Sequence, residues 1–398
     1  EQLRQHPQEK AFGHKVKNQW QYLSTARIVE LGNQMSLGLL GLGLQPGDKI
    51  ASVVYKTSPE WVILDFAMLQ LGILHVPMYP TISSREYEYI LNESEVKYCF
   101  VGEGDLYDKV HQACEKAPGV KEIFTFYDHP VARRWDVLLT EGDLSEVNRI
   151  KATVRPDDLC TLIYTSGTTG NPKGVMLTHR NIAFNVESIH KLVPIVAGDR
   201  VLSFLPVSHV FERVAVYFFI RCGVSVSFTG TDNLGGEEGD LKAIRPHFFT
   251  TVPRLLEKVY DKIYSKGLEL KGLKRALFFW ALNLTEDWDF DKKYSGWKAF
   301  QWKIAHKLIF SKWREALGGS IKGIITGASA CPLRIMRVFN AAGIPIREGY
   351  GLTEASPGIT FSRYEPHAAM LGTVGVVLDG IDLRIEESRD YKPGEGEI

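Results

Sequence analysis

The sequence predicts an α/β protein with largely parallel sheets. Short apolar runs alternate along the chain with longer segments of helical periodicity, which is the pattern of parallel strands joined by crossover helices. The chain has 398 residues, of which 44% are hydrophobic and 24% charged. It can therefore bury a large core, and we expect two or three compact units.

The first elements lie before residue 102. Glycine commonly follows the last turn of a helix, and Gly72 is predicted to end one here. Strands are predicted at Ile50 to Val54, Ile73 to Pro77 and Tyr98 to Val101, with helices at Pro59 to Leu71 and Ser84 to Glu93.

The later elements continue the alternation. Thr178 is the predicted N-cap of a helix in which Ile182, Val186, Ile189 and Val193 recur at helical spacing. Gly343 is predicted to cap another helix. Strands are predicted at Leu159 to Tyr164, Gly174 to Leu177, Val201 to Leu205, Val224 to Phe228 and Ile324 to Thr326, and a helix at Leu333 to Ala342.

Composition excludes several functional classes. Basic and acidic side chains balance at 47 each, so no overall charge favours binding to nucleic acid. The five scattered cysteines lack CxxC spacing, which favours a reducing, cytoplasmic location over a disulfide framework or a zinc site.

No secretory segment is predicted in the polar stretch Glu1 to Asn18. The apolar stretch Val214 to Phe228 is too short to span a bilayer and contains Arg221, so a buried helix and strand are predicted.

The most informative stretch is Tyr164 to Gly174. It holds four aliphatic hydroxyl side chains, three glycines and one lysine within eleven residues. Small residues allow close backbone approach to a polyanion, hydroxyls and N–H groups can donate to phosphate oxygens, and Lys173 adds a positive charge. The common NTPase phosphate loop has glycine before its lysine and serine or threonine after it, where this chain has Pro172 and Gly174. A nucleotide-phosphate loop between two strands is favoured over an ordinary polar turn.

This loop resembles the signature loop of the adenylate-forming superfamily, which includes acyl-CoA synthetases, beetle luciferases and peptide-synthetase adenylation domains. Four further stretches are similar to the motifs of that family in order and approximate spacing. They are Leu205 to Arg213, Gly327 to Ser329, Glu348 to Glu354, and Gly372 to Gly375 followed by Gly380 to Ile385.

The resemblance implies two mostly parallel sheets, each covered by helices on both faces and packed together as αβαβα layers, with part of a small β-barrel. It places the first subdomain at about residues 1–205, the second at 206–365 and the start of the barrel at 366–398. In the family, a ribose-binding aspartate, a hinge and a C-terminal lid follow. The expectation is that this chain is the large N-terminal domain of such an enzyme.

The family pattern also implies the site residues. Lys173, His209, Thr353 and Glu354 are the expected catalytic residues, and Glu354 is the expected Mg²⁺ ligand, assisted by Thr165. Tyr350 would present its ring to adenine. His209 would act as a donor or positioning group rather than as a base. The complete nucleotide-binding set is Thr165, Ser166, Gly167, Thr168, Thr169, Gly170, Lys173, Gly327, Ala328, Ser329, Glu348, Gly349, Tyr350, Gly351 and Thr353.

The segment Leu205 to Arg213 resembles the long-chain fatty acid:CoA ligases most. The expected reaction uses ATP, Mg²⁺, CoA and a long-chain fatty acid. Two alternatives stay open: a ligase that passes the acyl group from the adenylate to a carrier protein, and a binding module without catalysis. Oligomeric state cannot be read from these residues, and a homodimer is one open alternative.

The segment Lys271 to Glu315 contains five of the eight tryptophans among many lysines. A helical hairpin whose indoles pack on the body of the protein is favoured. An amphipathic helix in peripheral contact with the inner face of a membrane is the alternative.

Overall fold

The structure is a computed structural model that describes residues 2–165, 170–236, 238–387 and 391–398. The predictions for Ser166, Gly167, Thr168 and Thr169 lie outside the described residues. The strands are β1 (Phe12–Val16), β2 (Gln19–Leu23), β3 (Lys49–Val53), β4 (Leu74–Met78), β5 (Val96–Val101), β6 (Glu122–Thr125), β7 (Leu159–Thr165), β8 (Lys173–Thr178), β9 (Arg200–Ser203), β10 (Ser225–Phe228), β11 (Phe248–Thr251), β12 (Gly323–Thr326), β13 (Ile346–Gly351), β14 (Gly358–Phe361) and β15 (Val376–Val377).

Helices connect and cover these strands. Single 3₁₀ turns lie at Trp135–Leu138, Thr231–Asn233, Thr285–Asp287 and Thr353–Ala355, and a π-helical turn lies at His306–Phe310. The α-helices are α1 (Gln2–Gln5), α2 (Thr25–Gly41), α3 (Pro59–Gln70), α4 (Ser84–Glu93), α5 (Leu106–Cys114), α6 (Ser145–Lys151), α7 (His179–His190), α8 (Val210–Arg221), α9 (Asp240–Ile244), α10 (Pro253–Glu269), α11 (Gly272–Leu284), α12 (Gly296–Ala305), α13 (Ser311–Ala316) and α14 (Leu333–Ala341).

The strands form two mixed sheets, which confirms the predicted α/β class. One sheet has the order β6-β5-β3-β4-β7-β8, parallel except for the antiparallel β7–β8 hairpin. The other has the order β15-β14-β13-β12-β11-β9-β10-β1-β2, with parallel pairing from β13 through β1. One hydrophobic core cluster contains residues of both sheets, including Ile50 and Val201. The two sheets therefore pack together.

Sheet membership does not follow chain order. The β1–β2 hairpin near the start of the chain joins β10 in the nine-stranded sheet, where Phe12 pairs with Val226. Residues before position 205 thus contribute to both sheets. The subdomain boundaries and the barrel beginning at residue 366 stay predictions.

Local sequence signals account for most element boundaries. The predicted strands are present to within about two residues at each end. Thr178 caps α7 as predicted: its Oγ1 accepts a hydrogen bond of 3.2 Å from the N–H of Asn181, whose Oδ1 accepts one of 2.9 Å from the N–H of Thr178. Such reciprocal bonds satisfy donors that a helix start leaves unpaired. The helix ends at His190, so the prediction that Val193 belongs to it is wrong.

The tryptophan-rich segment forms α11, α12, the π-helical turn and α13. Trp302 and Trp313 are buried in a second core cluster, and Trp280 and Trp288 pack against it. Trp297 is 70% exposed. The packing interpretation is therefore confirmed for four of the five indoles. Among the described residues, no helix is both long enough and apolar enough to cross a membrane.

Candidate active site

A cavity of about 330 Å³ lies at the carboxyl ends of the parallel strands of the nine-stranded sheet. In open α/β sheets this edge is where ligands commonly bind, because loops leaving several strands converge there. Among the predicted site residues, the cavity is lined by Thr165, His209, Gly327, Ala328, Gly349, Tyr350, Gly351, Thr353 and Glu354.

The β7–β8 hairpin reaches this cavity through Thr165. Lys173 is the residue directly opposite Thr165 in the antiparallel register, so the two side chains leave the same face of the hairpin. The 3₁₀ turn Thr353–Ala355, which carries Glu354, contacts β8. The described part of the phosphate-loop hairpin and the expected metal ligand therefore lie side by side.

The turn that carries Glu354 is held by a buried side chain of α7. Asn185 Oδ1 accepts a hydrogen bond of 2.8 Å from the N–H of Gly358, and its Nδ2 donates to the carbonyl of Ala355 over 3.5 Å. Gly351 lets β13 approach β14 closely, since a Cβ there would lie 1.8 Å from the carbonyl oxygen of Pro357. Sequence reasoning missed Asn185, which carries no motif signal.

The Glu354 side chain is suited to a metal. It is exposed, lines the cavity and has no basic partner within ion-pair distance among the residues that the structure describes. In that same part of the chain no group of three or more His, Cys, Asp or Glu side chains could hold an ion by itself. Mg²⁺ bound to nucleotide phosphates needs only one or two carboxylates. One carboxylate beside a phosphate-binding hairpin fits this requirement.

His209 lies at the N-cap of α8 and lines the cavity. Its Nδ1 accepts a hydrogen bond of 3.1 Å from the N–H of Phe211. Burial lowers the pKa of His209, so the ring is neutral near pH 7. With Nδ1 occupied as an acceptor, the remaining proton is on Nε2. His209 is therefore suited to donate a hydrogen bond from Nε2, as expected for a positioning group.

Four of the predicted nucleotide-binding residues that the structure describes do not line the cavity: Gly170, Lys173, Ser329 and Glu348. The Glu348 carboxylate accepts a hydrogen bond of 2.8 Å from the N–H of Cys331 and lies behind the cavity wall. Burial raises the pKa of Glu348, and the Cys331 N–H opposes that rise. Ser329 is exposed beside the cavity, and the described hairpin residue Gly170 is exposed at the loop. Ala328 adopts a φ of +69°, an uncommon conformation for a residue with a Cβ.

One end of the cavity is apolar. Val214, Ala215 and Phe218 project from one side of α8. Ile189, Ile325, Phe361 and Leu378 complete this apolar end. The sequence prediction placed Val214 to Phe228 in a buried helix and strand and did not identify the residues that line this cavity. Because His209 caps α8, the helix and its cap provide both a polar and an apolar part of the site.

Two buried side chains of the Leu205–Arg213 segment support α8. Glu212 hydrogen bonds to the Oγ of Ser203 over 2.5 Å and to the hydroxyl of Thr250, which lines the cavity. Burial raises the pKa of Glu212 to about 7, although both hydroxyls oppose the rise. Arg213 instead points toward the six-stranded sheet, where its Nη1 donates to Thr161 Oγ1 over 2.8 Å.

Arg213 belongs to a buried network that sequence reasoning missed. Its Nη2 lies 2.5 Å from Asp65 Oδ1, which is 2.7 Å from His75 Nδ1, and His75 Nε2 is 2.6 Å from Ser52 Oγ. Burial would raise the pKa of Asp65, but Arg213 and His75 hold it at about 2. The order serine–histidine–aspartate matches a hydrolytic triad. These side chains are at most 1% exposed, and Trp61 donates to the serine hydroxyl. The network therefore joins α3, the six-stranded sheet and α8.

The chain matches a known family over its full length and known proteins over most of it. All residues from 1 to 398 match the family model described as AMP-binding enzyme. The long-chain-fatty-acid–CoA ligase FadD15 of Mycobacterium bovis is 30% identical over 377 residues, which cover 92% of this chain and 61% of that protein. The long chain acyl-CoA synthetase 3 of Arabidopsis thaliana is 32% identical over 379 residues, covering 90% and 55% respectively. The chain thus spans less than two thirds of these relatives.

Solved structures share the fold. A long-chain-fatty-acid-CoA ligase (FadD1) from Archaeoglobus fulgidus superposes with a TM-score of 0.71 at 20% identity, covering 98% of this chain and 70% of that one. The N-terminal domain of FACL13 from Mycobacterium tuberculosis gives a TM-score of 0.65 at 19% identity, covering 95% and 82%. At these identities the likeness concerns architecture, and it matches the two-sheet arrangement described above.

Proposed function

We propose, since the chain belongs to the AMP-binding enzyme family, that it provides the nucleotide- and acid-binding domain of a long-chain fatty acid:CoA ligase. This proposal is supported by the observation that one cavity is lined by the β7–β8 hairpin, His209 and Glu354 and has an apolar end. A phosphate-binding region beside an apolar pocket suits a reaction between ATP and a fatty carboxylate.

The proposed reaction has two steps. A carboxylate oxygen attacks the α-phosphorus of ATP, the bond from that phosphorus to the bridging oxygen of the β-phosphate breaks, and pyrophosphate leaves. The CoA sulfur then attacks the acyl carbon, the bond to the AMP oxygen breaks, and the thiol proton passes to solvent. The first step brings two anions together, so preorganised donors and a divalent cation are the main need. A base is not needed, because the carboxylate is already ionised at neutral pH.

The hairpin and the Glu354 turn would hold the triphosphate. Lys173 and Thr165 would bind its outer phosphates, with Ser166, Gly167, Thr168, Thr169 and Gly170 predicted to assist. Glu354, helped by Thr165, would hold Mg²⁺, which when bound neutralises charge on the phosphates. Thr353 would donate to the α-phosphate from the same turn.

The acid and the adenine would bind on either side of these groups. His209 can donate from Nε2 to the carboxylate or the α-phosphate, which would orient the reacting oxygen. Tyr350 and the backbone from Gly327 to Ala328 would border the adenine. The acyl chain would extend toward Val214 and Phe218, where each buried methylene contributes about 0.8 kcal/mol.

ATP–pyrophosphate exchange tests this proposal. The assay uses the full-length protein with saturated fatty acids of increasing length, each with and without CoA. We expect exchange that requires a fatty acid and strengthens with chain length, and acyl-CoA formation only when CoA is added. Exchange with no thioester product would instead favour transfer to a carrier protein. ATP or fatty acid binding without exchange would identify a binding module and refute the proposal.

A cytoplasmic location is part of the proposal. All five cysteines are free thiols in the structure, which supports a reducing compartment.

A homodimer stays a prediction. Sedimentation of the purified protein at several concentrations would test it, and a concentration-independent monomer would refute it.

A further inference from the structure

A second cavity, of about 620 Å³, lies within the helical layer formed by α10, α11 and α13. Its volume is within the range of pockets that enclose small molecules. The interior is mainly apolar, and its walls include Ile263, Leu277, Phe278, Leu308, Trp313 and Phe339. Among the residues that the structure describes, none lines both this cavity and the candidate active site.

The nine-stranded sheet separates the two cavities. Thr250 and Ile325 line the first cavity. Their strand neighbours Phe249 and Ile324 belong instead to the core cluster that also contains Phe278 and the other buried walls of the second cavity. Because successive strand residues point to opposite faces of a sheet, the second cavity is on the other face. It is therefore not the apolar end of the active site.

The charged groups around the second cavity are of one sign. Among the described residues, every acidic or basic side chain that lines it is a lysine: Lys242, Lys262, Lys266, Lys274 and Lys312. The last four are exposed, and in the described part of the chain no carboxylate lies within ion-pair distance of their ammonium groups. Like charges gathered without partners repel one another, so a bound anion would relieve a cost already present.

The wider helical segment around this cavity is also positively charged. Residues 253–316 contain 14 basic and eight acidic side chains, a formal net charge of +6 in a chain whose total is zero. The charge is therefore concentrated in the helices that build the second cavity. Its local field would attract anions to this side of the molecule.

We propose that the second cavity binds a long-chain anion, with the apolar chain inside and the negatively charged head group among Lys262, Lys266, Lys274 and Lys312. An apolar interior under a lysine rim matches both parts of such a molecule. Affinity should increase about fourfold for each added methylene until the cavity is full. The head group can belong to a single dissolved amphiphile or to an anionic lipid at a bilayer surface. Binding here does not depend on the proposed ligase reaction.

Tryptophan quenching distinguishes this cavity from the active site. Trp313 lines the second cavity, whereas the described lining of the first contains no tryptophan. A brominated fatty acid below its critical micelle concentration serves as the dissolved probe. Vesicles of brominated phosphatidylcholine, with or without phosphatidylglycerol, serve as the bilayer probe. We expect saturable quenching with the dissolved probe or with the anionic vesicles, and its loss in Trp313→Phe.

Two pairs of matched variants test the site. Ala316→Phe adds bulk to the lining, and Ala276→Phe adds the same bulk to an exposed position of α11 outside it. Lys262→Glu with Lys312→Glu reverses two rim charges, and Lys258→Glu with Lys303→Glu reverses two exposed charges outside the lining. We expect the first member of each pair to weaken quenching at least tenfold, and its control to change it less than twofold.

The outcomes separate this inference from the proposed function. If the test variants lose the quenching caused by the dissolved probe, the cavity is a site for free amphiphiles. If they lose quenching only with the anionic vesicles, the cavity is a site for a lipid head group. Thermal unfolding checks that each variant is folded, and pyrophosphate exchange should be unchanged in all of them. Absence of Trp313-dependent quenching with both probes, or equal losses in test and control variants, would overturn the proposal whether or not the protein is a ligase.

Discussion

Asn185 Oδ1 accepts a hydrogen bond of 2.8 Å from the backbone N–H of Gly358. This bond links α7, which follows directly from the β7–β8 hairpin, to the segment after the Glu354 turn. Asn185 is 1% exposed, so this bond is shielded from solvent in the folded protein. The position of Glu354 relative to the hairpin therefore depends on a residue outside the family motifs.

Asn185→Ala should loosen this arrangement. The substitution leaves a buried N–H without a partner, which costs about 1–3 kcal/mol of stability. Because displaced reacting groups lose rate steeply, pyrophosphate exchange should fall on the order of tenfold to a hundredfold. Asn148→Ala, at an exposed position of α6, is the control. Unchanged exchange in Asn185→Ala would show that the bond does not position the turn.

Glu354→Gln should abolish most adenylation, because an amide is a poorer Mg²⁺ ligand than a carboxylate. We expect pyrophosphate exchange to fall by orders of magnitude with little change in stability, since this side chain is exposed. Glu365→Gln, at another exposed position, should leave exchange unchanged. Near wild-type exchange in Glu354→Gln would remove Glu354 from the metal site.

His209→Asn separates donation from base catalysis. Asparagine keeps a hydrogen-bond donor and is a favourable N-cap for α8, but it cannot act as a base near neutral pH. We therefore expect His209→Asn to retain more exchange activity than His209→Ala, by about tenfold. Exchange rates from pH 6 to 9 provide the measurement. Equal, complete inactivity of both variants would indicate a role that donation does not explain.

Asp65→Asn should destabilise the fold, because it leaves the buried Arg213 charge unpaired, at a cost of about 3–5 kcal/mol. The pKa of Asp65 is lowered to about 2 in the folded state. Its stabilising contribution is therefore present above the unfolded pKa near 4 and is lost as the pH falls toward 2. Urea unfolding of both forms at several pH values should show a smaller acid-induced loss in the variant. Parallel pH curves would contradict the assignment.

Glu212→Gln should remove a loss of stability that occurs as the pH rises, the opposite direction to the loss expected for Asp65. Burial raises the folded pKa of Glu212 to about 7 from a usual value of 4.5. Because the folded state favours the protonated carboxyl, the stability that this group contributes is fully present below pH 4.5 and is lost as the pH rises through 7. The total loss is about 3 kcal/mol. Glutamine cannot ionise, so the variant should lack this decline. A decline of equal size in Glu212→Gln would assign it to other groups.

Local patterns predicted much of the fold. Alternating apolar runs located the strands, and Thr178 was recognisable as a helix cap because its capping partner lies only three residues away. The motif residues from Thr165 to Glu354 were predicted to meet, and the described ones largely do. Glu348 is an exception because its carboxylate binds backbone within the wall, a choice that depends on which way a strand residue faces.

The remaining features depend on tertiary contacts. Asp65 and Arg213 lie 148 positions apart, and neither residue alone indicates an ion pair. The addition of β1 and β2 to the nine-stranded sheet joins segments about 200 residues apart. The lysine rim of the second cavity arises from three helices. A single sequence carries no local signal for any of these pairings.

The central claim is that the triphosphate of ATP lies between the β7–β8 hairpin and the Glu354 turn. A crystal structure of the full-length protein with ATP, Mg²⁺ and a fatty acid analogue tests it most directly. We expect the outer phosphates beside Lys173 and Mg²⁺ at about 2.0–2.1 Å from a Glu354 carboxylate oxygen. A nucleotide bound elsewhere, with Glu354 remote from the metal, would contradict the account.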